Sequence, residues 1–156
     1  MEDGEDFEDR ARLERAYRAT RYTATREGVT IGIRIGEVCA VLDAWLGAAH
    51  AQEWAYLTAC NPRSRVLSAE QNAARMAALV VDLGVIGWPM VHGAGEPAPA
   101  ADGQVDWTAE PSVLVLGLSR EAALELAVRY DQHAFVYGRS GQAAELIWTT
   151  HHDGVM

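Results

Sequence analysis

The chain contains no lysine: all 13 of its basic residues are arginine. It has only two cysteines, Cys39 and Cys60. Two cysteines make no disulfide framework and match no zinc spacing, so both are expected to be reduced. No apolar run reaches the roughly 18 residues that a membrane-spanning helix needs. A basic excess is missing too. With 22 acidic residues against 13 basic ones the net charge is −9. That balance argues against a general nucleic-acid binder, because phosphate neutralisation needs a basic face. The acidic N-terminus reads as neither a signal peptide nor a transit peptide. These absences point to a cytoplasmic protein with no membrane and no nucleic-acid partner, and they call for no metal and no cofactor.

What is present suits a globular protein. The 156 residues are 49% hydrophobic and 22% charged, enough for one domain with a real core. The reading is a disordered acidic leader over 1–8, a single domain over 9–150 and a flexible tail over 151–156. Glu2, Asp3, Glu5, Asp6, Glu8 and Asp9 form the leader, and Arg10, Arg12, Arg15, Arg18, Arg21 and Arg26 follow at once. The arginine-rich segment 10–21 is either a solvated helix face neutralised by the leader or a docking surface for an acidic protein partner. The exclusive use of arginine fits GC-rich coding, or else a need for planar guanidinium forks that grip phosphate or carboxylate.

Periodicity predicts a helix over 9–20, then a hairpin of 22–26 and 29–35 across Glu27-Gly28. Val29, Ile31, Ile33 and Ile35 alternate with Thr30, Gly32 and Arg34, as in a half-buried strand. A helix is expected over 37–49 and a strand over 53–59. Another helix, over 68–83, is capped by Ser68 with Gln71 three residues on and ended at Gly84. Further strands are expected over 85–91 and 112–118, a helix from Ser119 to near Tyr130, and a closing hairpin of 133–138 and 143–149. The fold class is α/β (α+β), one mixed sheet. Its order from 53 to 138 is that of a ferredoxin-like β-α-β-β-α-β core, extended by the N-terminal hairpin and the last strand. The alternative is a three-layer sandwich with helices 9–20 and 37–49 on the second face. Strands 53–59 and 112–118 are the most continuously apolar and are placed side by side in the centre. Read as parallel, they put Asn61 and Glu110 at opposite edges of the sheet.

The run from Ala55 to Asn72 reads as strand, polar turn and helix start. Pro62 stops the strand. Arg63, Ser64 and Arg65 then lie before a helix N-terminus, where free N–H groups favour an anion. Asn72, one turn into the helix, is placed to point back at Asn61. The ligand-binding candidates are therefore Asn61, Arg63, Ser64, Arg65 and Asn72, with an anionic small molecule as occupant. The competing reading is that Asn-Pro-x-Ser is turn chemistry alone. Trp107, Glu110, Ser112 and Gln132 form a secondary cluster with the Gly/Ala/Pro-rich loop from Gly93; the structural reading of Glu110 and Gln132 is support of loop backbone under Trp107. Cys60 is read as a small apolar strand-end residue rather than a nucleophile. No Ser/His/Asp set assembles, so no catalytic residue is assigned. Gly93-Ala-Gly95 leads into Glu-Pro-Ala-Pro instead of a helix and is no dinucleotide fingerprint. His151-His152-Asp153 is read as tail, not as a metal site.

At Thr58-Ala59-x-Asn61-Pro62-x-Ser64, with Asn72 downstream, the chain resembles a bacterial family known as domain of unknown function 3293. Tyr17-Arg18-x-Thr20-x-Tyr22, Trp107-x-x-Glu110-x-Ser112 and Tyr130-Asp131-Gln132-x-Ala134 carry the resemblance further, over roughly 13–148. It implies a shared fold and a shared site, and it supplies no activity. Where Cys60 stands the family often has an aromatic residue, which argues against a family-wide cysteine nucleophile. Two functions follow: a binder of an anionic small molecule such as a nucleotide, enzyme or not, or a non-catalytic interaction or regulatory module. Convergence of Asn61, Ser64 and Asn72 on an open pocket would favour the first. Mutual bonding in a buried turn would favour the second.

Overall fold

The structure is a computed structural model that describes residues 2–97 and 109–149. Its elements in chain order are α1 (Glu2–Ala19), β1 (Arg21–Arg26), β2 (Val29–Ile33), α2 (Ala40–Ala48), β3 (Glu53–Leu57), α3 (Ala69–Ile86), β4 (Met90–Glu96), β5 (Glu110–Leu116), α4 (Arg120–Arg129), β6 (Ala134–Arg139) and β7 (Glu145–Trp148). A short 3-10 turn, Pro62–Ser64, follows β3. The seven strands form one antiparallel sheet in the order β2-β1-β4-β5-β3-β6-β7.

Local chemistry accounts for most of these elements. The β1–β2 hairpin turns on Glu27 (φ 51°) and Gly28 (φ 81°), the two left-handed residues of a two-residue loop. Ser68 caps α3 through Gln71 N–H, and the Gln71 side chain accepts from Ser68 N–H. Helix α3 does not end at Gly84. It continues to Ile86 and closes at Gly87 (φ 98°), because a C-cap needs left-handed backbone and a glycine held in helical backbone does not supply it. Strand β4 therefore begins at Met90, later than expected, and takes in Gly93-Ala-Gly95, which the composition assigned to a loop. Gly93 faces Ala24 across the ladder. A Cβ there would strike the Thr23 carbonyl and reach 3.0 Å from the Tyr56 hydroxyl. The glycine permits a close strand approach.

The sheet carries two cores, one on each face. Trp54, Tyr56, Leu114, Leu116, Val136, Tyr22, Ile31 and Ile33 pack with Leu42 and Leu46 of α2 on one face. Their neighbours Ala55, Leu57, Val113, Val115, Phe135 and Tyr137 point the other way, against Leu79 and Leu83 of α3 and Ala123, Leu126 and Ala127 of α4. Strands β3 and β5 are buried on both sides, which is why they read as unbroken apolar runs. The two edges of the sheet also meet. Ile35, just after β2, bridges Ala144, just before β7. Gly36 N–H donates to Ala144 C=O at 2.8 Å, and Ala144 N–H to Glu37 C=O at 3.1 Å. The sheet thus curls round the first core until its edge strands touch at one end.

One expectation is overturned. Strands β3 and β5 are neighbours, as anticipated, but antiparallel: Trp54 faces Leu116 and Leu57 faces Val113. The next described element after β4 is β5, its antiparallel neighbour, and that reversal turns β5 against β3. The end of β3 and the start of β5 therefore share an edge. No helix among the described residues is long and apolar enough to cross a membrane. Residues 98–108 of the Gly/Ala/Pro-rich loop, Trp107 among them, and the tail 151–156 lie outside the described residues.

Candidate functional site

The turn after β3 has unusual backbone. Asn61 (φ 47°), Arg63 (φ 53°) and Ser64 (φ 64°) are all left-handed. For residues with a side chain that geometry costs on the order of 1–3 kcal/mol each, and the surroundings hold it. Asn61 N–H donates to Asn72 Oδ1 at 2.9 Å, and Asn72 Nδ2 donates to Asn61 Oδ1 at 2.9 Å. Leu67 N–H also donates to Asn61 Oδ1, at 3.0 Å. Arg63 N–H donates to Asp131 C=O at 2.8 Å. From α3, Arg75 ties the turn to the α4–β6 connection by donating to Ala59 C=O at 2.6 Å and to Tyr130 C=O.

With its carbonyl engaged by Asn72 and Leu67, Asn61 points its amide nitrogen at Glu110, donating to Oε2 at 3.1 Å. Asn61 and Glu110 thus form one cluster, where the parallel reading kept them at opposite edges. Gln132 joins them, because β6 also runs antiparallel to β3 and starts at the same edge. Its amide donates to Cys60 C=O at 3.0 Å and Tyr130 C=O at 3.2 Å. Antiparallel direction on both sides of β3 is the physical reason for the correction.

Above this edge opens a pocket of about 390 Å3. Leu13, Ala16, Tyr17 and Thr20 of α1 and its connection line one side. Tyr22 and Tyr56 line the sheet side, their rings edge to face with centroids 5.3 Å apart. Thr58, Cys60, Glu110, Ser112 and Gln132 surround the Asn61 end, with Arg63, Ser64 and His133 also on the wall. Thr58 fixes the β3–β5 junction: its hydroxyl donates to Pro111 C=O at 2.8 Å and accepts from Cys60 N–H at 3.1 Å.

Burial dominates the electrostatics. It raises the Glu110 carboxyl above its ordinary value, and the Asn61 hydrogen bond opposes the rise. Burial likewise raises the phenols of Tyr17, Tyr22 and Tyr56, with the Glu110 charge adding to each. The Cys60 thiol is also pushed up, by burial first, so it is held as the thiol and suits packing better than attack. His133 is lowered by burial and by the Arg63 charge, against a hydrogen bond to the Arg63 backbone.

Of the sequence candidates, Asn61, Arg63 and Ser64 line the pocket, and so do Glu110 and Gln132 of the secondary cluster. Arg65 is exposed and off the wall. Asn72 stands behind Asn61 and shapes the turn. The N-terminus of α3, considered as an anion site, is occupied by its own capping box. Trp107 falls outside the described residues. Ser112 of the secondary cluster lines the pocket as well. Residue chemistry missed Tyr17, Tyr22, Tyr56 and His133. Tyr17 and Tyr22 were signalled by the family-like patterns; Tyr56 gave no signal, being one aromatic in an apolar strand.

The chain belongs to the family described as protein of unknown function (DUF3293), whose model matches residues 57–135, about half of its length. The matched segment runs from the end of β3 to the start of β6 and carries Asn61, Arg63, Ser64, Glu110, Ser112, Gln132 and His133. No curated protein and no solved structure matches the chain.

Proposed function

We propose that this protein binds a small molecule in the pocket between α1, the sheet and the Asn61 turn, with an anionic group of the ligand held at Arg63 and Ser64. One observation carries the reading. Polar residues far apart in the chain, Tyr17, Asn61, Glu110 and Gln132, converge on a single cavity of about 390 Å3, a size that suits a small ligand. The left-handed backbone at Asn61, Arg63 and Ser64 supports it, since such geometry concentrates at ligand sites. Arg63 supplies the positive charge at the wall; Arg65 and Asn72 act from outside. A nucleotide or phosphate-like compound is the first class to try.

The alternative, a non-catalytic interaction or regulatory module, draws support from the mutual Asn61–Asn72 bonds, but Asn61 and Ser64 also line the open pocket, and the arginine-rich helix adds little to it. Arg12 pairs with Asp9 and Arg18 with Glu14 on the same helix, so part of that charge is spent locally. We also read β3 to β6 as a ferredoxin-like unit, supported by the strand order β4-β5-β3-β6. The cytoplasm remains the proposed compartment, in keeping with two free cysteines.

The test is thermal shift against nucleotides, sugar phosphates and small carboxylates, with wild type and Arg63→Ala in parallel. A stabilising ligand whose effect weakens in Arg63→Ala is expected. A panel without a single shift on the wild type would count against the pocket as a binding site.

A further inference from the structure

The pocket's wall has an uneven hydrogen-bond chemistry. Tyr22 spends its hydroxyl hydrogen on Tyr17 C=O at 2.8 Å, and Tyr56 spends its own on Thr23 C=O at 2.8 Å. Thr58 donates to Pro111 C=O at 2.8 Å, and Ser112 to Glu110 C=O at 2.9 Å. Both hydrogens of the Gln132 amide go to carbonyls, of Cys60 and Tyr130. A hydroxyl has one hydrogen and an amide nitrogen two. These five side chains therefore have lone pairs, and no hydrogens, left to offer an occupant. Glu110 is an acceptor when ionised. Asn61 engages its Oε2, and Oε1 has no partner among the described residues. Gln132 is 7% exposed and on the pocket wall, with its carbonyl oxygen likewise unpartnered among those residues.

From this we infer that the inner end of the pocket receives a nitrogen cation with N–H bonds, such as a primary ammonium or an amidinium, docked between Glu110 and Gln132 and walled by Tyr17, Tyr22 and Tyr56. Such a group supplies the hydrogens that these five side chains lack and the charge that Glu110 calls for; the Tyr17 phenol beside them keeps a hydrogen not committed among the described residues. Tyrosine faces attract cations by their quadrupole, and a buried carboxylate gains most from a partner that is both charged and a donor. A phosphate or carboxylate at this end would meet lone pairs and a carboxylate, so an anionic group belongs beside Arg63. The ligand class is therefore zwitterionic: an amine at Glu110 and an anion at Arg63, in one small molecule.

This inference rests on the pocket being a binding site, and the experiment separates the two. Isothermal titration compares amino acids with their desamino counterparts, for example L-tyrosine with 3-(4-hydroxyphenyl)propionate, a pair that differs only in the amine. We expect the amine-bearing member of the best pair to bind at least tenfold more tightly. Glu110→Gln, which keeps the size and the oxygen contact to Asn61, should erase that preference, whereas Arg63→Ala should weaken both members alike. Equal or tighter binding of the desamino compounds overturns the cation site and leaves the pocket reading standing. If no member of either series binds the wild type, the zwitterion inference falls; the pocket reading falls with it only if the nucleotide and sugar-phosphate panel also gives no thermal shift. The wild-type comparison needs no variant, so a poorly folded Glu110→Gln would not leave the question open.

Discussion

Glu110 is the residue on which the site turns, and its burial makes a prediction about stability. Because burial raises its carboxyl, the folded protein holds this proton more tightly than the unfolded chain. Its contribution to stability is full below the ordinary carboxylate range and is lost as pH rises through the folded value. Replacing it by Gln removes a buried charge and keeps an oxygen for Asn61 Nδ2 to donate to. Glu110→Gln is therefore expected to melt higher than wild type at about pH 7, with the gap closing toward about pH 4. Melting curves at several pH values decide it; a gap of the same size throughout would mean that the carboxyl is not strained by burial. The residue types at this site were easy to notice in the sequence, and their roles were not. Asn72 was placed near Asn61 correctly, yet its work is to occupy the Asn61 carbonyl so that the amide nitrogen faces Glu110. That division of labour depends on distances that one-dimensional spacing does not contain.

At the scale of elements, punctuation was legible where one residue type has one physical job. Glu27-Gly28, Ser68 with Gln71, and Ser119 act at the places expected. Glycine misled where it has two jobs. Gly84 looked like a stop and is helical, and Gly93 looked like loop and lies in β4 where a side chain would strike the Thr23 carbonyl of β1. Gly93→Ala tests that role. The added methyl would meet the Thr23 carbonyl, which is backbone held in the ladder and unable to rotate away. We expect a loss of about 1–3 kcal/mol or more in urea unfolding, the range of overpacking a tight interior. The strand shift would also disturb the Tyr56 hydroxyl, which donates to that same carbonyl, so ligand binding should weaken together with stability. A fully stable Gly93→Ala would show that β1 can move off without cost.

For the whole molecule, curling of the sheet brings α1, the sheet and the Asn61 turn together around one cavity. The contact that closes the sheet is small: the Ile35–Ala144 bridge with its flanking bonds. Hydrogen exchange reports on it directly. The amides of Gly36 and Ala144 lie outside the seven strands, yet they should exchange slowly, like those of the strand interiors. Exchange as fast as at the exposed Val66 would mean that the edges part freely. Hydrophobic alternation and turn residues were enough to specify a helix-and-sheet domain, its central strands and the strand-to-helix turn that borders the site, because these depend on neighbours within a few positions. Strand direction was implied by the expected order and misread: the helical crossover keeps β4 parallel to β3, and the pairing of β5 with β4 then reverses β5 against both. Which side chains meet at that end depends on register and on the left-handed turn after β3, and both are properties of the assembled sheet. That one reversal brings Glu110 and Gln132 to Asn61 and makes a single pocket out of what the linear chain presents as two clusters.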